Sequence, residues 1–115
     1  MSIHNLKCRP ENFDPIHDRS KNFELRFDDR NFAVGDFLIL REYDESSDYY
    51  SGRKAIRRIS YLATGPRNGL SAGFAILSLD CPFPAGLEIS ISALVSVRSM
   101  ITIEEFISVF SDMRL

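Results

Sequence analysis

The segment Phe23–Phe27 reads FELRF and alternates strictly between apolar and charged side chains. In an extended chain successive side chains point to opposite faces, so the three apolar residues share one face, and Glu24 and Arg26 share the other. A period of two residues is typical of a half-buried β-strand. The chain is therefore expected to contain a sheet, with Glu24 and Arg26 side by side on one of its faces.

A short helix is predicted after Pro10, which suits a first helical turn. Phe13 and Ile16 would share its buried face at i, i+3 spacing. Pro15 lacks a backbone donor and restricts the residue before it, so we expect a kink, or a restart of the helix with Asp14 as N-cap.

Apolar runs separated by polar or glycine-rich segments predict the remaining strands. These are Phe37–Leu40, buried on both faces, then Lys54–Ala63, Phe74–Leu79 and Leu87–Val97. The connections are a polar hairpin loop at Glu42–Gly52 and the Gly/Pro-rich segment Thr64–Gly73.

A second helix is predicted to begin at Thr102, where Thr-Ile-Glu-Glu forms a capping box. Its apolar stripe would consist of Ile103, Phe106, Ile107 and Phe110. With 115 residues, the chain has the size of one domain, 1–115. The fold class is α+β: a small, mostly antiparallel β-barrel with a short N-terminal helix and a C-terminal helix.

The charges are distributed unevenly, although the formal net charge is only −2. Residues 1–79 hold twelve Lys and Arg against eleven Asp and Glu, whereas residues 80–115 hold two against five. No acidic residue occurs between Gly52 and Leu79, a window with five cations: Arg53, Lys54, Arg57, Arg58 and Arg67. Because salt screens distant charges, a local basic face can bind phosphate on a mildly acidic protein.

No apolar run approaches the roughly 20 residues that a membrane helix needs, so no membrane association is predicted. The N-terminal sequence MSIHNLKCRPEN has no apolar signal region, which predicts a cytoplasmic location. Cys8 and Cys81 lack the close spacing of a metal or redox motif, so both are expected to be free thiols, buried or half-buried. No metal and no cofactor is predicted.

Lys21 immediately precedes the charged face of the first alternating strand. With Glu24 and Arg26 it forms a set that could grip a phosphate or carboxylate and read a hydrogen-bond donor. The same spacing also fits an exposed ion-pair ladder worth on the order of 0–1 kcal/mol. The residues alone leave both interpretations open.

The spacing Lys21-x-x-Glu24-x-Arg26 resembles the ASCH-domain motif Gly-x-Lys-x-x-Glu-x-Arg of the PUA-like superfamily. A bacterial and phage family of unknown function within that superfamily is more similar still. The further positions that carry this resemblance are His4, Leu6, Lys7, Pro10, Glu11, Phe23, Asp29, Arg30, Phe32, Val34, Gly35, Asp36, Glu42, Tyr43, Asp44, Gly52 and Arg53. The resemblance covers roughly residues 3–79 and leaves 80–115 as a C-terminal extension outside it.

The resemblance implies a compact pseudo-barrel with a cleft beside the motif, of a kind thought to hold RNA or a nucleotide. The leading hypothesis is therefore an RNA-binding or modified-nucleotide-binding protein, without a demonstrated reaction. The ligand-binding residues expected on this basis are Lys21, Glu24, Arg26, Arg19, His4, Lys7, Arg30, Arg53 and Tyr43. Arg19 stands where the motif has glycine, a position at a helix exit that favours positive φ.

Two alternatives remain. The first is an amidohydrolase that uses Lys21 and Glu24, because a related ASCH branch hydrolyses N4-acetylcytidine. In this chain, however, Glu24 stands where that branch has its Thr, and a carboxylate cannot act as a hydroxyl nucleophile without changing the intermediate. The other alternative is a phage-type protein-interaction module, in which the acidic extension 80–115 contacts a protein partner or forms a homodimer.

Overall fold

The computed structural model describes residues 1–82. The elements are, in order, β1 (Ile3–Cys8), α1 (Pro10–His17), β2 (Phe23–Phe27), β3 (Phe37–Asp44), β4 (Tyr49–Thr64) and β5 (Phe74–Asp80). The predicted strand at Leu87–Val97 and the predicted helix from Thr102, with its apolar stripe, lie outside the described residues. No helix in this part of the chain is long and apolar enough to cross a membrane.

The strands form one mixed sheet in the order β1-β3-β4-β5-β2, curled into half a barrel. Three of its four pairings are antiparallel, which confirms a small, mostly antiparallel, barrel-like α+β fold. The fourth is parallel and joins β1 to β3, with Lys7 directly opposite Arg41. Strand β1 was not predicted, and it occupies one edge of the sheet while β2 occupies the other.

The core lies between α1 and the inner face of the sheet. Phe13 and Ile16 are fully buried there, as their spacing predicts, against Leu38, Leu40 and Leu77. Each such side chain contributes roughly 1.5–3 kcal/mol when it leaves water. The prediction for Phe37–Leu40 is also confirmed, because all four of its residues are buried.

The helix runs through Pro15 without restarting, so the expected N-cap at Asp14 is wrong. Asp14 lies inside α1, and its carboxylate accepts a hydrogen bond from Arg53 at 3.0 Å. Its carbonyl still accepts from the N–H of Asp18 at 3.0 Å. Proline therefore removes only its own donor from this short helix, and the turn that follows it is intact.

The alternation of β2 is confirmed, but the buried face is the charged one. Phe23, Leu25 and Phe27 are 46%, 54% and 57% exposed, whereas Glu24 is 5% exposed. An alternating strand normally packs its apolar side against the core. In β2 the charged side points inward instead, because that side faces the gap that separates β2 from the other edge strand, β1.

The expected loop at Glu42–Gly52 is mostly strand. Strand β3 continues to Asp44 and β4 already begins at Tyr49, so only four residues turn the chain. Tyr43 and Tyr50 are register partners across this hairpin, with ring centroids 4.9 Å apart. The acidic and aromatic segment is thus an ordered extension of the sheet.

Asp36 connects the start of β1 to the start of β3. Its Oδ1 accepts from the backbone N–H of Ser2 at 2.9 Å. Its Oδ2 accepts from the backbone N–H of Ala33 at 3.0 Å and lies 2.9 Å from His4 Nε2. Burial raises the pKa of Asp36, but the hydrogen bonds from His4, Ser2 and Ala33 outweigh burial and hold this pKa below its usual value.

Arg19 adopts a backbone conformation that favours glycine. It follows the last residues of α1 with φ = 71°, while the N–H of Lys21 closes the helix end on the carbonyl of Pro15 at 2.9 Å. This is the position where the resembling motif has glycine. The turn that glycine would make is therefore present, with a side chain that strains it.

We expect the Arg19→Gly variant to be more stable than Arg19→Ala by about 1 kcal/mol, because both remove the same side-chain contacts and only alanine keeps the Cβ. Thermal unfolding followed by circular dichroism measures this as a difference of roughly 4 °C in Tm. Equal Tm values, or a lower value for the glycine variant, would contradict a strained left-handed residue at this position.

Candidate functional site

An open cleft of about 420 Å³ lies in the gap between the two edge strands β1 and β2. It is lined by β1 and its exit, by the whole middle of β2, and by the end of the β3–β4 hairpin. The lining residues are Lys7, Cys8, Arg9, Asn12, Glu24, Leu25, Arg26, Phe27, Asp29, Arg30, Tyr43 and Glu45. Five of the nine sequence-predicted site residues meet here: Glu24, Arg26, Lys7, Arg30 and Tyr43.

Asp29 and Glu45 at the rim of this cleft are exposed, whereas the third acidic side chain, Glu24, is only 7% exposed. Arg26 Nε donates to Glu24 Oε2 at 2.9 Å, and Lys21 Nζ lies 3.9 Å from Oε1. A carboxylate with so little exposure requires such partners, because an unpaired charge removed from water is costly. The ion-pair ladder considered from spacing alone is therefore present, but it is partly buried in the wall of the cleft and not exposed.

Arg26 also joins the two edges of the half-barrel. Its Nη2 donates to the backbone carbonyl of Lys7 on β1, in addition to the bond from Nε to Glu24. Arg30 makes a similar link, from Nη1 to the carbonyl of Asn5 at 3.1 Å. Two guanidinium groups thus span the gap, and both keep donors in the cleft because each makes only part of its five possible hydrogen bonds through these contacts.

Cys8 lies in the lining of the cleft beside Glu24 and is 2% exposed. Burial, and after it the negative charge of Glu24, raises the pKa of the Cys8 thiol to about 11. The thiol is therefore protonated at neutral pH and a weak nucleophile. Cys81 is half-buried, so the prediction of two free thiols, buried or half-buried, is confirmed.

A second cavity of about 440 Å³ adjoins the cleft and shares Lys7, Arg26 and Arg30 with it. Within the described part of the chain, its lining residues are Asn5, Leu6, Lys7, Arg26, Arg30, Arg41 and Tyr50, which include four cations and no carboxylate. The parallel register of β1 and β3 places Lys7 opposite Arg41. Arg41 is oriented by Asn5 Oδ1, which accepts from its Nε and Nη2 at 3.0 and 2.8 Å. We call Lys7, Arg26, Arg30 and Arg41 the cation cluster.

Tyr43 forms an aromatic wall beside the cation cluster. Lys7 Nζ lies 4.4 Å from the centroid of its ring, a cation–π geometry. Its hydroxyl donates to Asp48 Oδ1, and this hydrogen bond is the main reason why the pKa of Tyr43 is raised to about 12. The ring is thus held in place at the edge of the cleft by contacts at both ends.

The other predicted residues lie outside the lining of this cleft. Lys21 contacts Glu24 from outside the cleft lining, and its Nζ lies 5.1 Å from the ring centroid of Phe23. Arg19 donates to Cys81 Sγ at 3.3 Å, and His4 lies beside Asp36 with its ring edge-on to Phe32 at 4.9 Å.

Arg53 belongs to a different part of the surface. Its Nη1 contacts Asp14 at 3.0 Å and Glu42 at 3.3 Å, and its guanidinium lies 4.9 Å from the ring centroid of Phe13. These contacts tie β4 to α1. Among residues 1–82, no group of three or more His, Cys, Asp and Glu side chains could hold a metal ion.

Several lining residues were not predicted, chiefly Asn5, Cys8, Arg9 and Arg41. They come together because β1 pairs in parallel with β3, a contact between distant segments. One sequence signal was available: Asn5 and Lys7 alternate with Leu6 and Cys8, as expected for a strand with one buried face. Arg41 directly follows the buried run of β3 and could have been placed at the same edge.

We expect Cys81 to be alkylated before Cys8. In a Cys81→Ser variant, the rate of Cys8 alkylation should rise with a midpoint near pH 11, about two units above an ordinary thiol. Adding Glu24→Gln should lower that midpoint, since a neighbouring negative charge disfavours the thiolate. Iodoacetamide labelling followed by mass spectrometry measures the order of alkylation and the pH midpoint. A Cys8 midpoint near pH 9 that does not change in Glu24→Gln would contradict the burial of Cys8 beside Glu24.

The comparison with known protein families gives a match that begins with β1 and ends at Leu79 in β5. A family model described as "Domain of unknown function (DUF3850)" matches residues 3–79. A protein described as "Uncharacterized 12.9 kDa protein in GpA 3'region", from Escherichia phage P2, is 38% identical over 58 residues. The alignment covers 50% of this chain and 51% of the phage protein, so the chain spans about half the length of this curated relative. All residues that line the cleft lie within the family match, and the chain belongs to the DUF3850 family.

Proposed function

We propose that this chain is an ASCH-related, PUA-like protein that binds RNA or a nucleotide, including a modified one, in the cleft between β1 and β2. The observation that carries the proposal is the cation cluster. Among residues 1–82, four cationic side chains and no carboxylate line one cavity, directly beside a cleft that contains a shielded carboxylate. This combination suits a ligand with an anionic part and a hydrogen-bond donor part.

The anionic part would be phosphate, bound by the cation cluster. Guanidinium groups present two parallel donors that match two phosphate oxygens. Arg30 and Arg41 are each anchored through Asn5, which orients them and lowers the entropy cost of binding. Lys7 adds a point charge between them, and its position above Tyr43 limits its freedom.

The donor part would be a base edge facing Glu24. Ionised carboxylates accept hydrogen bonds and donate none, so Glu24 selects an amino or imino group over a carbonyl. Arg26 engages one carboxylate oxygen strongly, and Lys21 lies 3.9 Å from the other. The longer contact leaves Oε1 the better acceptor for a ligand. Tyr43 at the edge of the cleft offers a ring face for the base or sugar.

These contacts revise the expected roles within the motif. Lys21 was expected to bind phosphate together with Arg26, but it lies behind Glu24 and outside the cleft lining. We assign Lys21 a positioning role, in which its ammonium group lies 3.9 Å from Oε1 and helps to orient the Glu24 side chain. Lys7, Arg30 and Arg41 take over the main phosphate contacts.

Hydrolysis of a modified nucleoside finds less support. Of the possible nucleophiles in the cleft, Glu24 is paired with Arg26, and the Cys8 thiol is protonated because its pKa is about 11. The Tyr43 hydroxyl is bound to Asp48, with a pKa of about 12. Incubation with N4-acetylcytidine should therefore leave it intact; release of acetate by the wild type, abolished in Glu24→Gln, would establish the hydrolase instead.

We expect Arg30→Ala and Lys7→Ala each to weaken binding of a single-stranded RNA and to reduce the slope of log K against log salt by about 0.7, the value for one lost phosphate contact. Arg67→Ala is the matched control, because it removes one cation from the β4–β5 connection, outside the cleft lining. Fluorescence anisotropy at several salt concentrations measures the slopes.

Two results would contradict the proposal. The first is wild-type binding that is insensitive to salt, because contacts with phosphate release counterions. The second is an equal change of slope in Arg67→Ala, which would show diffuse attraction to net positive charge instead of a defined phosphate site. Lys21→Ala should change affinity less than Arg30→Ala.

A further inference from the structure

The outward face of the β4-β5-β2 half of the sheet is apolar and open to solvent. Its large exposed side chains are Phe23, Leu25 and Phe27 on β2, Phe74 on β5 and Tyr61 on β4, all between 40% and 65% exposed. Scattered exposed apolar residues are normal, but a contiguous group on one sheet face marks a binding surface. We call the four aromatic residues Phe23, Phe27, Tyr61 and Phe74 the ring face.

The strand registers arrange these side chains in three rows. One row is Tyr61, Ser78 and Phe23, the next is Ala63, Ile76 and Leu25, and the third is Phe74 with Phe27. Phe74 and Phe27 contact each other edge to face, with centroids 5.5 Å apart. The aromatic side chains therefore occupy the two outer rows, and an aliphatic row separates them.

We propose that the ring face binds single-stranded nucleic acid by base stacking, so that the ligand of this protein is a polynucleotide strand longer than one nucleotide. This inference rests on the proposed function of the cleft and extends it. Aromatic rings displayed on an open sheet face stack unpaired bases, in a manner that tolerates sequence because every base has a π-face.

The first argument is continuity with the cleft. Strand β2 is shared, since its inner side chains Glu24 and Arg26 line the cleft and its outer side chains belong to the exposed face. Lys21 stands at the start of β2 and contacts both sides, 3.9 Å from Glu24 Oε1 and 5.1 Å from the ring centroid of Phe23. A single-stranded nucleic acid that leaves the cleft and passes over Lys21 reaches the ring face directly.

The second argument is charge. Two carboxylates at the ends of β5 and β2 each accept one hydrogen bond: Asp80 Oδ2 accepts from Arg58 Nη2 at 2.8 Å, and Asp28 Oδ1 accepts from the backbone N–H of Phe32 at 3.1 Å. The sequence from Gly52 to Leu79, which supplies most of β4 and β5, contains no acidic residue. A polyanion therefore meets little repulsion here, and Lys21 adds attraction at one end.

The third argument is distance. The aromatic rows lie four residues apart along β2, or about 14 Å at roughly 3.4 Å per residue. No single base reaches both rows, so a mononucleotide in the cleft cannot use the ring face. The inference thus predicts an affinity that depends on ligand length, which a cleft for one nucleotide alone would not show.

The test compares uridine monophosphate with oligouridylates of four and eight nucleotides, as competitors of a fluorescein-labelled octamer in anisotropy measurements. We expect the octamer to bind at least tenfold more tightly than the mononucleotide. Phe74→Leu and Tyr61→Leu should each weaken octamer binding at least fivefold, because leucine keeps the apolar character but removes the ring, and neither residue lines the cleft. Mononucleotide binding should stay within twofold of the wild type.

Ile76→Ala is the control on the same face, because Ile76 belongs to the aliphatic row and does not line the cleft, and it should change octamer binding less than twofold. Three outcomes would overturn the inference: octamer affinity equal to mononucleotide affinity, ring variants without effect, or Ile76→Ala as harmful as Phe74→Leu. If the mononucleotide still binds, the proposed function of the cleft survives; if neither ligand binds, both proposals fail. A wild-type dimer that Phe74→Leu converts to a monomer would identify the face as a contact between two copies and would also overturn the inference.

Discussion

The half-barrel depends on the guanidinium of Arg26, which pairs with a shielded carboxylate and crosses the open side of the sheet. Arg26 bonds Glu24 on its own strand and the carbonyl of Lys7 on the opposite edge strand, so a single guanidinium satisfies a shielded carboxylate and connects two strands that share no backbone ladder. A full barrel would close this gap with main-chain hydrogen bonds and leave no room for a ligand. Side-chain closure keeps the edges together while leaving polar groups accessible between them.

The same pair explains the inverted polarity of β2. Because Glu24 and Arg26 must point inward to reach β1, the pleat forces Phe23, Leu25 and Phe27 outward. The exposed rings are therefore a geometric consequence of the charged cleft, and one short strand determines the chemistry of two surfaces. An alternating strand normally buries its apolar side chains and exposes its charged ones, and β2 does the reverse at a cost in free energy. That cost is the strongest physical reason to look for a ligand both in the cleft and on the outer face of β2.

The sequence predicts elements better than it predicts contacts. The helix face of Phe13 and Ile16, the doubly buried run Phe37–Leu40 and the alternation of β2 follow from local periodicity, and the structure confirms them. Periodicity cannot say which side of an alternating strand is buried, since that depends on what the strand faces. The parallel contact of β1 with β3 joins segments more than thirty residues apart, so the sequence motif indicated the cleft through Glu24 and Arg26 but missed Arg41.

The register of β2 has a consequence for the evolution of such a chain. A shift of this strand by one residue would turn every side chain to the opposite face, exchanging Glu24 and Arg26 for phenylalanine and leucine inside the cleft. Point substitutions change one surface at a time, whereas a single-residue insertion or deletion beside the strand disrupts both at once. Length variation among related chains should therefore be suppressed in the segments that flank β2, between α1 and the strand and just after it, and tolerated in the turn between β3 and β4.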